Sequence, residues 1–78
     1  MLSRLVLPRA RFAECVEMIT GMLRGWPVGD PADPATLTGP LISERQRRRV
    51  LGYIERGRAE GGTIALGGGV PADKTRGF

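Results

Sequence analysis

Apolar residues recur with a helical period in two stretches of this chain and cluster without one in two others. Between Arg9 and Arg24, the residues Phe12, Cys15, Val16, Ile19, Met22 and Leu23 keep to spacings of three and four, extended by further turns. That pattern lays them along one side of a helix and leaves Glu14 and Glu17 off the stripe, in solvent. Gly25 and Pro27 end the helix, the first by tolerating a left-handed backbone and the second by lacking an amide hydrogen. A second helix is predicted from Ser43. Its hydroxyl can accept from the free amides of the first turn, Glu44 suits the positive end of the helix, and Gln46 completes a capping box. Val50, Leu51, Tyr53 and Ile54 form its apolar side, and Arg58-Ala59-Glu60 can carry it to Gly61-Gly62.

The two runs without a helical period are short. Leu2, Leu5, Val6 and Leu7 precede Pro8, which biases Leu7 toward extended geometry, and Thr63-Ile64-Ala65-Leu66 lies between glycines. Both are predicted as strands, apolar on both faces, as in a sheet covered on both sides. Residues 67–78 have no hydrophobic period and read as a loop. Between the helices lies a long polar connection, Val28 to Ser43, with Pro31, Pro34 and Pro40. Proline there excludes helix and strand, and a connection this long is expected to be functional or packed on something. The predicted order is strand, helix, long loop, helix, strand. Two strands cannot build a covered sheet alone, so the expected fold class is α/β, as part of a larger domain.

Composition narrows the chemistry. Seventy-eight residues allow one small domain with a marginal core, and only Phe12, Trp26, Tyr53 and Phe78 are aromatic. The lone Cys15 excludes an internal disulfide and fits a reducing, cytoplasmic setting. Without histidine there is no imidazole base, triad or histidine metal site. No apolar run approaches a membrane span, so no membrane partner is expected. The net charge of +4 permits an anionic partner without requiring one.

Four candidate sites follow. Arg45, Arg47, Arg48 and Arg49 crowd one helix start and could hold nucleic-acid phosphates; a small basic binding module is thus an alternative function. Adjacent residues on a helix face different ways, and no aromatic interleaves the run to stack on bases, so a solvated face is the preferred reading. Residues 68–75 approach a phosphate loop at Lys74-Thr75, but Asp73 replaces the second glycine and would face phosphate oxygens, which excludes it. Cys15 on the apolar stripe reads as a small buried hydrophobe. Asp30 and Asp33 read as turn formers rather than as an acid/base pair.

Taken together, V-G-D-P-x-D-P-A-T-x-x-G-P-L-I-S from Val28, Q-R-x-R-V-L-G-Y-I from Gln46, and G-x-A-E-G-G-x-x-x-x-G-G-G from Gly57 closely resemble the catalytic domain of the aldehyde dehydrogenase superfamily. The leading S-R-L-V-L-P from Ser3 matches too, so the likeness covers Ser3 to Phe78. The resemblance implies oxidation of an aldehyde to a carboxylic acid with NAD or NADP, by a cysteine thiolate nucleophile and a glutamate that activates water. It also implies that this nucleophile, this base and the dinucleotide-binding domain lie outside residues 1–78. The chain is then a single partial catalytic-domain segment, expected to be inactive by itself, and Cys15 does not match the nucleophile. A non-catalytic interaction fragment is the remaining alternative, and a homo-oligomer is compatible with the family. The resemblance assigns one function to residues present: Gln46 and Arg49, three apart on the second helix, stand where family members approach the cofactor ribose. Arg49 stands where lysine is common, which changes the donor geometry.

Overall fold

The computed structural model describes residues 4–78. Both helices form where the apolar period places them. A 3-10 turn over Arg9–Arg11 leads into α1, Phe12–Arg24. Glu14 and Glu17 are exposed, and Cys15, Val16 and Ile19 are half-buried. α1 closes at Gly25 with φ −89°, not in the left-handed conformation expected of it, and the Trp26 amide donates to the Leu23 carbonyl at 3.0 Å.

α2 spans Glu44–Ala59. Ser43 is extended, and its Oγ accepts from the Gln46 amide at 3.2 Å. Only this half of the capping box is present among the described residues: the Gln46 side chain does not return a bond to Ser43. The helix ends in a Schellman motif. The Gly62 amide donates to the Gly57 carbonyl at 2.9 Å and the Gly61 amide to the Arg58 carbonyl at 3.1 Å. Gly61 carries φ 104°, and a Cβ on Gly62 would stand 2.8 Å from the Gly57 carbonyl oxygen. The paired glycines that stop this helix are therefore required by geometry. Replacing Ser43 by Ala removes an N-cap worth about 1 kcal/mol. The expected result is a lower far-UV helix signal, restored by Ser43→Asp.

The long connection is folded on itself. Asp30 Oδ1 accepts from the Ala32 amide at 2.8 Å and Asp33 Oδ1 from the Ala35 amide at 2.9 Å, so both aspartates form the turns read from the sequence. The Leu37 and Thr38 amides donate to the Pro27 carbonyl, and the Gly29 amide to the Thr38 carbonyl at 3.0 Å. These bonds make a parallel bridge between Val28 and Thr38. Trp26 Nε1 donates to Thr38 Oγ1 at 2.8 Å across the base of the loop.

The two predicted strands do not form in the described residues. Residues 4–8 and 63–66 are irregular, and the Val28–Thr38 bridge is the only β pairing there; Leu2, part of the first predicted strand, lies outside the described residues. A strand needs a neighbour for its amides and carbonyls, and these two segments do not pair with each other. The observed chain is helical with turns, so the strand-helix-long loop-helix-strand pattern is not what it shows.

α1 and α2 do not pack on each other, and none of the described residues is buried. The accessible surface is 7217 Å², against about 4,600 Å² for a compact protein of this mass. The radius of gyration is 14.5 Å, against about 11.5 Å for a compact domain of this length.

Candidate functional site

One groove collects most of the sequence motifs. The connection from Val28 to Leu41 forms one wall and the segment from Gly68 to Phe78 the other, with α2 as the floor; the cavity measures ≈ 760 Å³. Val50, Leu51 and Ile54 supply the apolar floor. Tyr53, predicted with them, is exposed, because at about 100° per residue it falls roughly 110° from the centre of the arc that Val50, Leu51 and Ile54 share. The walls meet at the far end, where the Leu41 amide donates to the Phe78 carbonyl oxygen.

The arginine run is split by the helix. Arg47 faces the groove, with its guanidinium 5.6 Å from the Phe78 ring centroid and 29% of its side chain exposed. Its solvated placement in the sequence reading is thereby corrected: three and four residues before Val50 and Leu51, it shares their side of the helix. Arg48 is in solvent, 76% exposed, and pairs with Glu44 at 3.0 Å. Arg49 turns a third way, 5.9 Å from the Tyr53 ring centroid, and Arg56 approaches the same ring at 6.0 Å. Arg45 is exposed, and with Arg47, Arg48 and Arg49 turned three ways the run presents no common phosphate-binding stripe; the basic nucleic-acid module finds no support.

Gln46 and Arg49 do share a face, one turn apart on α2 and followed by Tyr53 and Arg56. The Gln46 side chain makes no hydrogen bond among the described residues, and Arg49 pairs with no carboxylate there. Sequence reasoning missed the Tyr53–Arg56 continuation of this face, although the spacing of three, four and three residues from Gln46 could have shown it. It also missed the Trp26–Thr38 clamp, which joins residues twelve apart and leaves no local signal.

The other candidates lie apart from these faces or lack the predicted context. Cys15 is half-buried on α1, away from the groove. Residues 68–75 lead into no helix, as expected from the rejected phosphate loop. Lys74 pairs with Asp73 at 3.3 Å. No metal-ligating cluster occurs, and no helix is long and apolar enough to cross a membrane, among the described residues.

One ion pair on α2 perturbs a titration. Arg58 donates to Glu55 at 2.7 and 3.1 Å, and this hydrogen bond, with the guanidinium charge, holds the Glu55 carboxyl below its ordinary value. A lowered folded pKa stabilises the helix above the ordinary carboxyl range, and that support is lost as pH falls through the folded pKa. The helix signal of Glu55→Gln should therefore lie below that of the unmodified chain at neutral pH. The difference should vanish on acidification.

The "Aldehyde dehydrogenase family" model matches residues 1–78. The chain belongs to the aldehyde dehydrogenase family. It is 51% identical over 70 residues to betaine aldehyde dehydrogenase of Brucella anthropi and 53% identical over 70 residues to that of Brucella ovis. Each comparison covers 90% of this chain and 13% of the relative. The aldehyde dehydrogenase of Bacillus cereus, solved also as an NAD+ complex, shares the fold with TM-scores of 0.76 and 0.75. It is 36% identical, over 85% of this chain and 13% of that one. The chain thus spans about 13% of the length of the aldehyde dehydrogenases it matches.

Proposed function

We infer that residues 1–78 are a segment of the catalytic domain of an NAD(P)-dependent aldehyde dehydrogenase that oxidises an aldehyde to its carboxylic acid. The observation that carries this is the 51% identity over 70 residues with a betaine aldehyde dehydrogenase. It supports an aldehyde substrate for the whole enzyme, with betaine aldehyde the first to try. The α/β sheet expected from the sequence belongs to that whole domain, in which residues 5–7 and 63–66 would find partner strands. The absence of a dinucleotide-binding domain from residues 1–78 fits the same reading, as do a cytoplasmic setting and a homo-oligomeric enzyme.

Within the segment, Gln46 and Arg49 are the cofactor-binding residues. A ribose diol both donates and accepts; the Gln46 amide can do both in return, and Arg49 offers a fork of donors. Their common face on α2, with no competing carboxylate on Arg49, fits a ribose laid across the first two turns. The Ser43 cap would fix the start of α2 and so orient both side chains. Bound NAD or NADP would supply the hydride acceptor; these residues would bind and orient it.

A chimera tests the reading. The matched segment of the Brucella anthropi enzyme is replaced by this chain's residues, and NADH formation from betaine aldehyde is followed. The chimera should retain turnover within about tenfold of the parent. Gln46→Ala and Arg49→Ala in the chimera should each raise KM for the cofactor about tenfold, the equivalent of one charge-assisted or well-placed hydrogen bond. A soluble, folded chimera without turnover would refute the proposal. Unchanged cofactor KM in both variants would remove Gln46 and Arg49 from the site.

A further inference from the structure

The acidic residues of α2 neutralise some of its arginines and leave others free. Glu44 holds Arg48 at 3.0 Å and lies 4.0 Å from Arg47, and Glu55 holds Arg58 at 2.7 Å. Arg49 and Arg56 pair with no carboxylate among the described residues. Both approach the ring of Tyr53 instead, at 5.9 and 6.0 Å from its centroid. The ring attracts each guanidinium, while the two positive charges repel each other, so an anion placed between them would be held by both. Gly52 stands between them on the same side of the helix, three residues after Arg49 and four before Arg56. Glycine in mid-helix is less favourable than alanine, because it loses more backbone freedom on folding. Nothing in the chain requires it here: a Cβ on Gly52 would meet no atom within 4 Å. Its missing side chain instead leaves a shallow cavity of ≈ 290 Å³, lined by Arg48, Arg49, Gly52, Tyr53 and Arg56. The helix backbone is open there to close approach.

We propose that this cavity is a binding site for a phosphate monoester, seated on Gly52 between Arg49 and Arg56. At neutral pH such a group carries about two negative charges and three acceptor oxygens. That matches two free guanidiniums, each able to give a pair of parallel hydrogen bonds; a carboxylate would match only one. Tyr53 is a positioning residue. It holds both guanidiniums beside the cavity before the ligand arrives, which lowers the cost of ordering them. The site takes one phosphate, and so differs from a row of contacts along a nucleic-acid backbone. The same group has two sources: the 2′-phosphate that distinguishes NADP from NAD, and a free phosphate ester. Arg49 is shared with the ribose site proposed above, whereas Gly52, Tyr53 and Arg56 are not.

Phenyl phosphate titrated into the isotope-labelled 78-residue chain tests the site, with sodium chloride at matched ionic strength as the control. Backbone amides of residues 49–56 should shift saturably with phenyl phosphate and not with chloride. Far-UV circular dichroism of each variant reports the helix. Gly52→Ala should raise the helix signal, as alanine does in mid-helix, yet weaken binding about tenfold, because its methyl stands where the phosphate approaches. Arg56→Gln should weaken binding about tenfold, the loss of one charge-assisted hydrogen bond. Tyr53→Leu should weaken it about threefold through the added ordering cost, and Tyr53→Phe should restore it. Displacement of phenyl phosphate by NADP but not by NAD would support the site and make the cofactor its source. Binding that neither dinucleotide displaces would support it with a free phosphate ester as the source. Displacement by NAD as effective as by NADP would overturn the proposal. So would the lack of a saturable shift, an equal response to chloride, or unchanged affinity in Gly52→Ala with its helix signal raised. Unchanged cofactor KM in the chimera beside intact phosphate binding would sink only the ribose assignment; the reverse would sink only this site.

Discussion

The 78-residue chain forms no NADH from aldehydes by itself. Aldehyde oxidation of the kind this family performs needs a thiolate nucleophile, a base to release the acyl group to water, and a held dinucleotide. The only cysteine, Cys15, is half-buried on the apolar stripe of α1 and lies outside the groove. No glutamate, the residue type this reaction uses as its base, lines the groove, and Asp30 and Asp33 accept from amides of their own turns. The ribose contacts proposed for Gln46 and Arg49 would not by themselves enclose a nicotinamide. The expected effect is complete loss relative to an intact family member. Short aliphatic and aromatic aldehydes, with NAD and with NADP, should give rates equal to a buffer blank. Turnover that disappears in Cys15→Ala would contradict this and place the nucleophile within these residues.

A second large effect is expected in folding. A chain of this mass in a compact fold buries about 60% of its extended surface, whereas the observed area corresponds to roughly 40%. With no buried residue among those described and no packing between α1 and α2, local bonds hold most of the structure. These are the helix ladders, the Ser43 cap, the Gly61-Gly62 stop and the Asx turns. Such contacts melt independently, because losing one withdraws little support from the others. Urea should therefore reduce the far-UV signal gradually, with a slope below the 1 to 3 kcal/mol/M usual for small cooperative domains. A steep sigmoidal transition in a protein that sediments as a monomer would show a cooperative core.

The elements that are local in energy were legible in the amino-acid order. The i, i+3, i+4 spacing from Phe12 to Leu23 predicts α1, Ser43 predicts the start of α2, and Gly61-Gly62 its end. Each rests on residues within one or two turns of one another, so no distant partner can overrule it. The same holds for Asp30 and Asp33, whose carboxylates reach amides only two residues on. The family was legible for a different reason: three motifs in fixed order over residues 28–69 leave little room for coincidence.

What depended on distant partners was decided only in three dimensions. Residues 63–66 have the composition of a strand, yet a strand is a property of a pair, and the described residues provide no second member. The arginine run reads as one patch of charge, but α2 turns Arg47 toward Phe78 and Arg49 toward Tyr53, leaving Arg48 in solvent with Glu44. The residue thirty-one positions away that receives Arg47 could not be inferred from spacing. Trp26 finds Thr38 because Pro27, Gly29 and the turns at Asp30 and Asp33 fold the connection back, a closure whose entropy cost is met by several bonds at once. Helix period, caps and turns were thus determined by sequence, since their energies act within a few residues. The groove, the division of the arginines and the lack of burial among the described residues were determined by tertiary structure, since they depend on which surfaces meet.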